Sequence, residues 1–131
     1  MFDFSKFNQV GDYLSLICKE EYNRSAISRY YYSLFCCARL YLILIMGETD
    51  FESGINVHGR VCERLRQSSD DAESVVGETL EELRQLRNLA DYDWFKKDSS
   101  FFKDRVIFAK KESKDALEQL QALGNSPPFE L

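Results

Sequence analysis

The chain has 131 residues, 30% charged and 44% hydrophobic, with a formal net charge of −5. That length suits one domain that buries roughly two-thirds of its unfolded surface without staples, and the composition is neither disordered nor strongly basic. An acidic whole argues against an indiscriminate nucleic-acid coater and leaves room only for a local basic face.

In chain order, Asp3 or Ser5 is a candidate cap for a first helix running to about Glu21, with Phe7, Val10, Leu14, Ile17 and Cys18 on one stripe. Gly11 inside it costs ~1 kcal/mol against Ala and points to close contact with another helix. After a connection at 22–25, where Asn23 or Ser25 is the next candidate cap, Ser25 to Met46 forms the organising stretch. It holds no Gly or Pro and is apolar on most faces, as expected of a helix surrounded by protein. Arg29, Ser33, Cys36 and Arg39 make a narrower polar strip, expected to reach solvent or to face a partner. The charge-free apolar run, Leu40 to Met46, is far short of the ~20 residues a bilayer needs.

Gly47 stops this helix, and 47–56 reads as a polar loop. A short third helix follows, His58 to Gln67, with Val61, Cys62 and Leu65 inward. Ser69 or Asp70 caps a fourth, Ala72 to Asp93, burying Val76, Leu80, Leu83, Leu86 and Ala90. Asp98 to Ser100 restart a fifth, with Phe102, Val106, Ala109, Ser113, Leu117, Leu120 and Leu123 on its face and Gly124 at its end. Residues 125–131, which hold both prolines, read as a fraying tail. The predicted fold is all-α, an antiparallel up-and-down bundle of about five helices over 1–124.

The four cysteines, Cys18, Cys36, Cys37 and Cys62, form no C-x-x-C pair, which predicts buried free thiols and neither a zinc knuckle nor a redox motif. Met1-Phe2-Asp3-Phe4 lacks the basic start and apolar run of a signal peptide, so a cytoplasmic address is expected. No metal site and no cofactor motif is read. His58 is the one histidine, and its position near Asn56 and Gly59 favours a role in capping the third helix. Glu78, Glu81 and Glu82 read as a solvated face of the fourth helix, and Arg60, Arg64 and Arg66 as a weak phosphate signal. Of Tyr30, Tyr31 and Tyr32, at least one ring belongs to the core, and another is free to stack on a base.

The most unusual stretch is Glu82 to Trp94. Leu83, Leu86 and Ala90 anchor it, while Arg84, Arg87, Asn88 and Asp91 cluster beside the apolar stripe, where polar groups are costly unless paired. An Arg87–Asp91 pair in that order contributes only a few tenths of a kcal/mol when exposed, so a functional role competes with a structural one. On an ideal helix Tyr92 sits ~140° round from Arg87, so the two are expected not to converge unless the helix ends or kinks.

With Ser28-Arg29-Tyr30-Tyr31-Tyr32-Ser33 and Ala38-Arg39-Leu40 in the central helix, Val57-His58-Gly59 opening the third, and Leu86-Arg87-Asn88-Leu89-Ala90-Asp91-Tyr92-Asp93 ending the fourth, the sequence resembles a HEPN domain over about 5–123. The resemblance implies a homodimer, often encoded beside a nucleotidyltransferase in toxin–antitoxin or defence loci. It also implies, for many members, a metal-independent ribonuclease whose signature is Arg, then four to six intervening residues, then His. Here Arg87-Asn88 matches the start of that signature, and the His positions hold Tyr92, Asp93 and Trp94. The expectation is therefore a degenerate member that binds RNA, a nucleotide or a nucleotidyltransferase or antitoxin partner. Arg87, Asn88, Asp91, Arg84 and Arg29 are its candidate ligand residues. The alternatives are an active ribonuclease using Arg87 with His58 or Tyr92, and a helical adaptor without nucleic-acid ligand.

Overall fold

Residues 1–95 and 97–124 are described by a computed structural model, and the rest of the molecule is arranged around one helix, α2, Glu20–Leu40. Before it comes α1, Lys6–Ser15; after it come α3, Val57–Arg66, α4, Asp71–Tyr92, and α5, Ser99–Gly124. A π-helical turn, Tyr41–Ile45, prolongs α2, and a 3-10 turn, Thr49–Glu52, lies in the loop beyond. There is no strand among the described residues. The fold is an all-α bundle, as the 3.6-residue periodicity predicts, with α2 packed against α1, α4 and α5. Ala26, Ile27, Tyr30, Tyr31, Leu34 and Ala38 of α2 have no exposed surface, so this helix is surrounded by protein.

Side-chain contacts give the directions. Asn8 and Asp12 of α1 meet Ser33 and Tyr30 of α2, so those helices are antiparallel. Arg24 near the start of α2 reaches the end of α4, and Tyr41 reaches Glu73 at its start. Arg24 also stacks on Phe102 near the start of α5, so α2 and α5 run the same way.

Several boundaries differ from the sequence reading. The first helix ends at Ser15, not Glu21, and the central one begins at Glu20, not Ser25. Lys19 is extended (φ −131°, ψ 146°) at the N-cap, and Glu20 and Glu21 fill the first turn, where carboxylates complement the helix dipole. Asn23 is buried inside α2 and caps nothing. At α1 the Ser5 side chain makes no cap bond; the Asp3 carboxylate accepts from both Ser5 N and Ser5 Oγ. Asp70, by contrast, caps α4 as expected, accepting from Glu73 N at 2.9 Å. The expectation of a fraying tail falls on 125–131, outside the described residues.

Two residues of the polar strip of α2, Ser33 and Arg39, are engaged by the chain itself, while Arg29 and Cys36 are half-buried. Ser33 is fully buried against Asn8, and the Arg39 guanidinium donates to the carbonyls of Phe51 and Glu52. Cys18 is exposed, against expectation, while Cys37 and Cys62 are buried; burial pushes the Cys36 thiol up to about 11 and Cys62 to about 12. Two glycines mark close approaches. A Cβ on Gly11 would lie 2.7 Å from the Tyr30 ring, as the sequence suggested, and one on Gly77 would lie 2.5 Å from the backbone N of Arg66. At the same end, the Glu73 carboxylate is 4% exposed and accepts from Tyr41, Ser68 and Arg64, while Arg64 also forks onto Glu48. Burial alone would raise the Glu73 pKa; these hydrogen bonds outweigh it and the carboxyl is held below its ordinary value. No helix among the described residues is long and apolar enough to cross a membrane.

Candidate functional site

Tyr32 is where the sequence-predicted candidates meet. It lies on α2 one residue past the fully buried Tyr31, and its half-buried ring faces α3 and α4. From α4, Arg87 donates through a terminal guanidinium nitrogen to the Tyr32 hydroxyl, and its guanidinium carbon lies 5.1 Å from the ring centroid. From one turn earlier on α2, Arg29 lies 5.3 Å from the same centroid and 4.9 Å from Phe7. From α3, the His58 imidazole meets the Tyr32 ring edge-on, with centroids 5.8 Å apart.

Arg87 is held from several sides. Its other terminal nitrogen donates to Asn88 Oδ1 at 2.9 Å, and Nε lies 3.0 Å from Asp91 Oδ2. That ion pair is one of charge alone: the buried Nε–H has no hydrogen-bond partner among the described residues, because it is not directed at the carboxylate. A guanidinium has five N–H donors, so each terminal nitrogen keeps one N–H beyond those bonds. Its side chain remains 18% exposed, enough to meet a ligand.

Tyr92 corrects an angular expectation. Its ring centroid lies 5.8 Å from the Arg87 guanidinium although α4 runs unbroken through both residues. Helical side chains lean toward the N-terminus, and the long Arg side chain reaches round the remaining arc, so backbone angle alone underestimates what can meet. Arg84 stands apart, 3.5 Å from Glu81, and contributes through its charge.

His58 is not the cap of α3. Asn56 takes that position in a left-handed conformation (φ 54°), and its side chain accepts from Gly59 N at 3.3 Å. Sequence reasoning was drawn to His58 because both residues flank the helix start. Freed from capping, the imidazole stacks on Phe35 with centroids 3.9 Å apart and planes 10° off parallel, and its Nδ1 lies 2.6 Å from the Tyr31 hydroxyl. Tyr31 is fully buried, and His58 Nδ1 is within reach of its hydroxyl hydrogen. With Tyr31 donating, which satisfies that buried hydrogen among the described residues, the neutral imidazole carries its proton on Nε2. Burial pushes the His58 pKa down, and the charges of Arg87, Arg84 and Arg39 push it further. Burial likewise raises the Tyr31 pKa, keeping that hydroxyl protonated.

The arrangement therefore offers donors: guanidinium N–H groups from Arg87, the Nε2–H of a neutral histidine, and the cation of Arg29. Such a set recognises anionic oxygens. Sequence reasoning missed Tyr32 as the residue joining these groups and Tyr31 and Phe35 as the seat of His58. The i, i+3 spacing of Arg29 and Tyr32 was the available signal. No group of three or more His, Cys, Asp or Glu side chains among the described residues is placed to hold a metal ion. The chain matches no protein-family model, no curated protein and no solved structure.

Proposed function

We propose that this protein is a HEPN-like component of a toxin–antitoxin or defence system, binding RNA or a nucleotide at the Arg87 face without cleaving it. One observation carries the reading: the Arg87 guanidinium is held at the surface by Tyr32, Asn88 and Asp91 with N–H groups left over for a phosphate. The family resemblance adds a homodimer and a nucleotidyltransferase or antitoxin encoded nearby. A two-fold axis close to α4 would bring two Arg87 groups into one positive cleft on an acidic protein.

The ribonuclease alternative rests on His58 lying in the same aromatic cluster as Arg87. Its tautomer opposes that role, because a general base needs an unprotonated ring nitrogen facing the substrate, and here that nitrogen faces Tyr31. The deciding experiment incubates the purified protein with labelled RNA in EDTA and follows both retention on a gel and fragment formation. Retention that is lost in Arg87→Ala, without fragments, supports binding alone. Fragments that disappear in His58→Asn establish the ribonuclease, and the absence of both retention and fragments refutes both readings. Light scattering at micromolar concentration checks the dimer.

A further inference from the structure

Just beyond the Arg87 site, the α4–α5 connection carries Trp94 and Phe95, 84% and 63% exposed, with ring centroids 4.1 Å apart. Tyr92, 70% exposed, precedes them on the last turn of α4. Large aromatics this open are unusual on a solvent-facing surface unless something covers them.

The turn that carries them is pinned. Arg24, from α2, donates to the carbonyls of Ala90 and Asp93 at 3.1 and 2.5 Å, is paired with Glu20, and stacks on Phe102 of α5. Asp93 closes the other side: its N–H bonds Leu89 O, and its carboxylate accepts from Lys97 N at 3.0 Å. A guanidinium at the end of α4 satisfies carbonyls that the helix leaves open. Asp93 and Lys97, which bracket Trp94 and Phe95 in the chain, are thus bonded to each other, while both rings remain exposed.

Cations flank this aromatic pair along the chain. On one side the Arg87 guanidinium lies 5.8 Å from the Tyr92 ring; on the other, Lys97 and Arg105 converge on Phe101 at 5.0 and 5.1 Å. Trp94 is two residues from Tyr92, so its Cα lies within ~7.6 Å of that residue's. The carboxylates interleaved with these cations are engaged, Asp91 by Arg87, and Asp93 and Asp98 by backbone N–H groups. The remaining order of cation, exposed aromatic pair, cation matches a strand of nucleic acid whose bases are unpaired, with phosphates on either side of a stacked base.

The geometry points to Trp94 and Phe95 as a base-stacking platform for single-stranded RNA whose neighbouring phosphate is held by Arg87. The inference rests on the reading of Arg87 as a phosphate site and narrows its ligand to a strand with unpaired bases. A duplex keeps its bases stacked on one another and has no free face to offer.

Trp94 is the chain's single tryptophan, so intrinsic fluorescence reports on this position alone. The full chain is titrated with a single-stranded oligoadenylate, with the same strand in duplex, and with AMP, at several salt concentrations. Trp94 emission is expected to be quenched by the single strand and not by the duplex. By retention of labelled strand, Trp94→Ala and Phe95→Ala should each weaken binding roughly 5- to 100-fold with an unchanged salt slope. Arg87→Ala should weaken binding and flatten the slope. Binding that depends on Arg87, with no quenching and unaltered by either aromatic substitution, overturns the platform and leaves the phosphate site standing. Absence of binding to strand and AMP alike overturns both. If the aromatic substitutions turn a dimer into a monomer and leave RNA affinity unchanged, the rings cover a second copy of the chain and the inference fails.

Discussion

The Tyr31 hydroxyl and His58 Nδ1 lie 2.6 Å apart, joining positions 27 residues distant in the chain. The contact fixes which ring nitrogen faces the core, while burial and nearby arginines disfavour the charged imidazole, a consequence that is measurable. With the His58 pKa pushed below 6.5 by burial and three arginines, the folded protein binds fewer protons than the unfolded chain just below that pH. The associated stability is present above ~6.5 and is lost as pH falls toward the folded value. Urea midpoints between about pH 7.5 and 5.5 should therefore decline, and His58→Phe, which keeps the stack on Phe35, should flatten the decline. An unchanged slope in that variant would place the acid sensitivity elsewhere.

Arg87→Ala should lose RNA or nucleotide binding while costing only ~1–2 kcal/mol in urea denaturation, since the Tyr32 bond is part-exposed and the Asp91 pair is misaligned. Arg87→Lys should recover part of the affinity, because an ammonium supplies charge without the planar fork. A variant that unfolds would make the cluster structural.

Glu73 gathers Tyr41, Ser68 and Arg64 around a carboxylate that is 4% exposed. Glu73→Gln keeps the volume and removes the charge, so Arg64 retains only Glu48. A loss of about 3 kcal/mol is expected by chemical denaturation. Because the Glu73 pKa is depressed below 4.5, its contribution is present above that value and lost as pH falls through the folded one. This acid transition should lie below that of His58.

Gly77→Ala tests the crossing of α3 and α4. In an open helix the change gains ~1 kcal/mol. Here the added methyl would lie 2.5 Å from Arg66 N and 2.8 Å from the Leu65 carbonyl carbon, and backbone cannot step aside as a side chain can. A loss of ~2–3 kcal/mol is expected. Gly11→Ala, meeting the Tyr30 ring, should lose less. A melting temperature that rises for Gly77→Ala would refute the close packing.

Helix existence and the inward stripes of α3, α4 and α5 were legible in the sequence, because the 3.6-residue period is local and each stripe repeats along its own helix. The stripe read for α1 was not, since Val10 is exposed and Ile17 and Cys18 lie beyond the helix end. The cap at Asp70 was legible, an acceptor side chain three residues before the N–H it binds. The Arg87–Asp91 pair was legible for the same reason, both residues lying on one helix a turn apart. The start of α2 was not, because its N-cap is Lys19, whose side chain accepts no hydrogen bond and makes no cap bond. Which of three consecutive tyrosines is core, which seats His58 and which holds Arg87 depends on the helices facing α2, and no local period encodes a neighbour 27 or 55 residues away. Arg24 shows the same division: its helix position follows from the sequence, but its hold on the carbonyl of Asp93 exists only where α2, α4 and α5 come together.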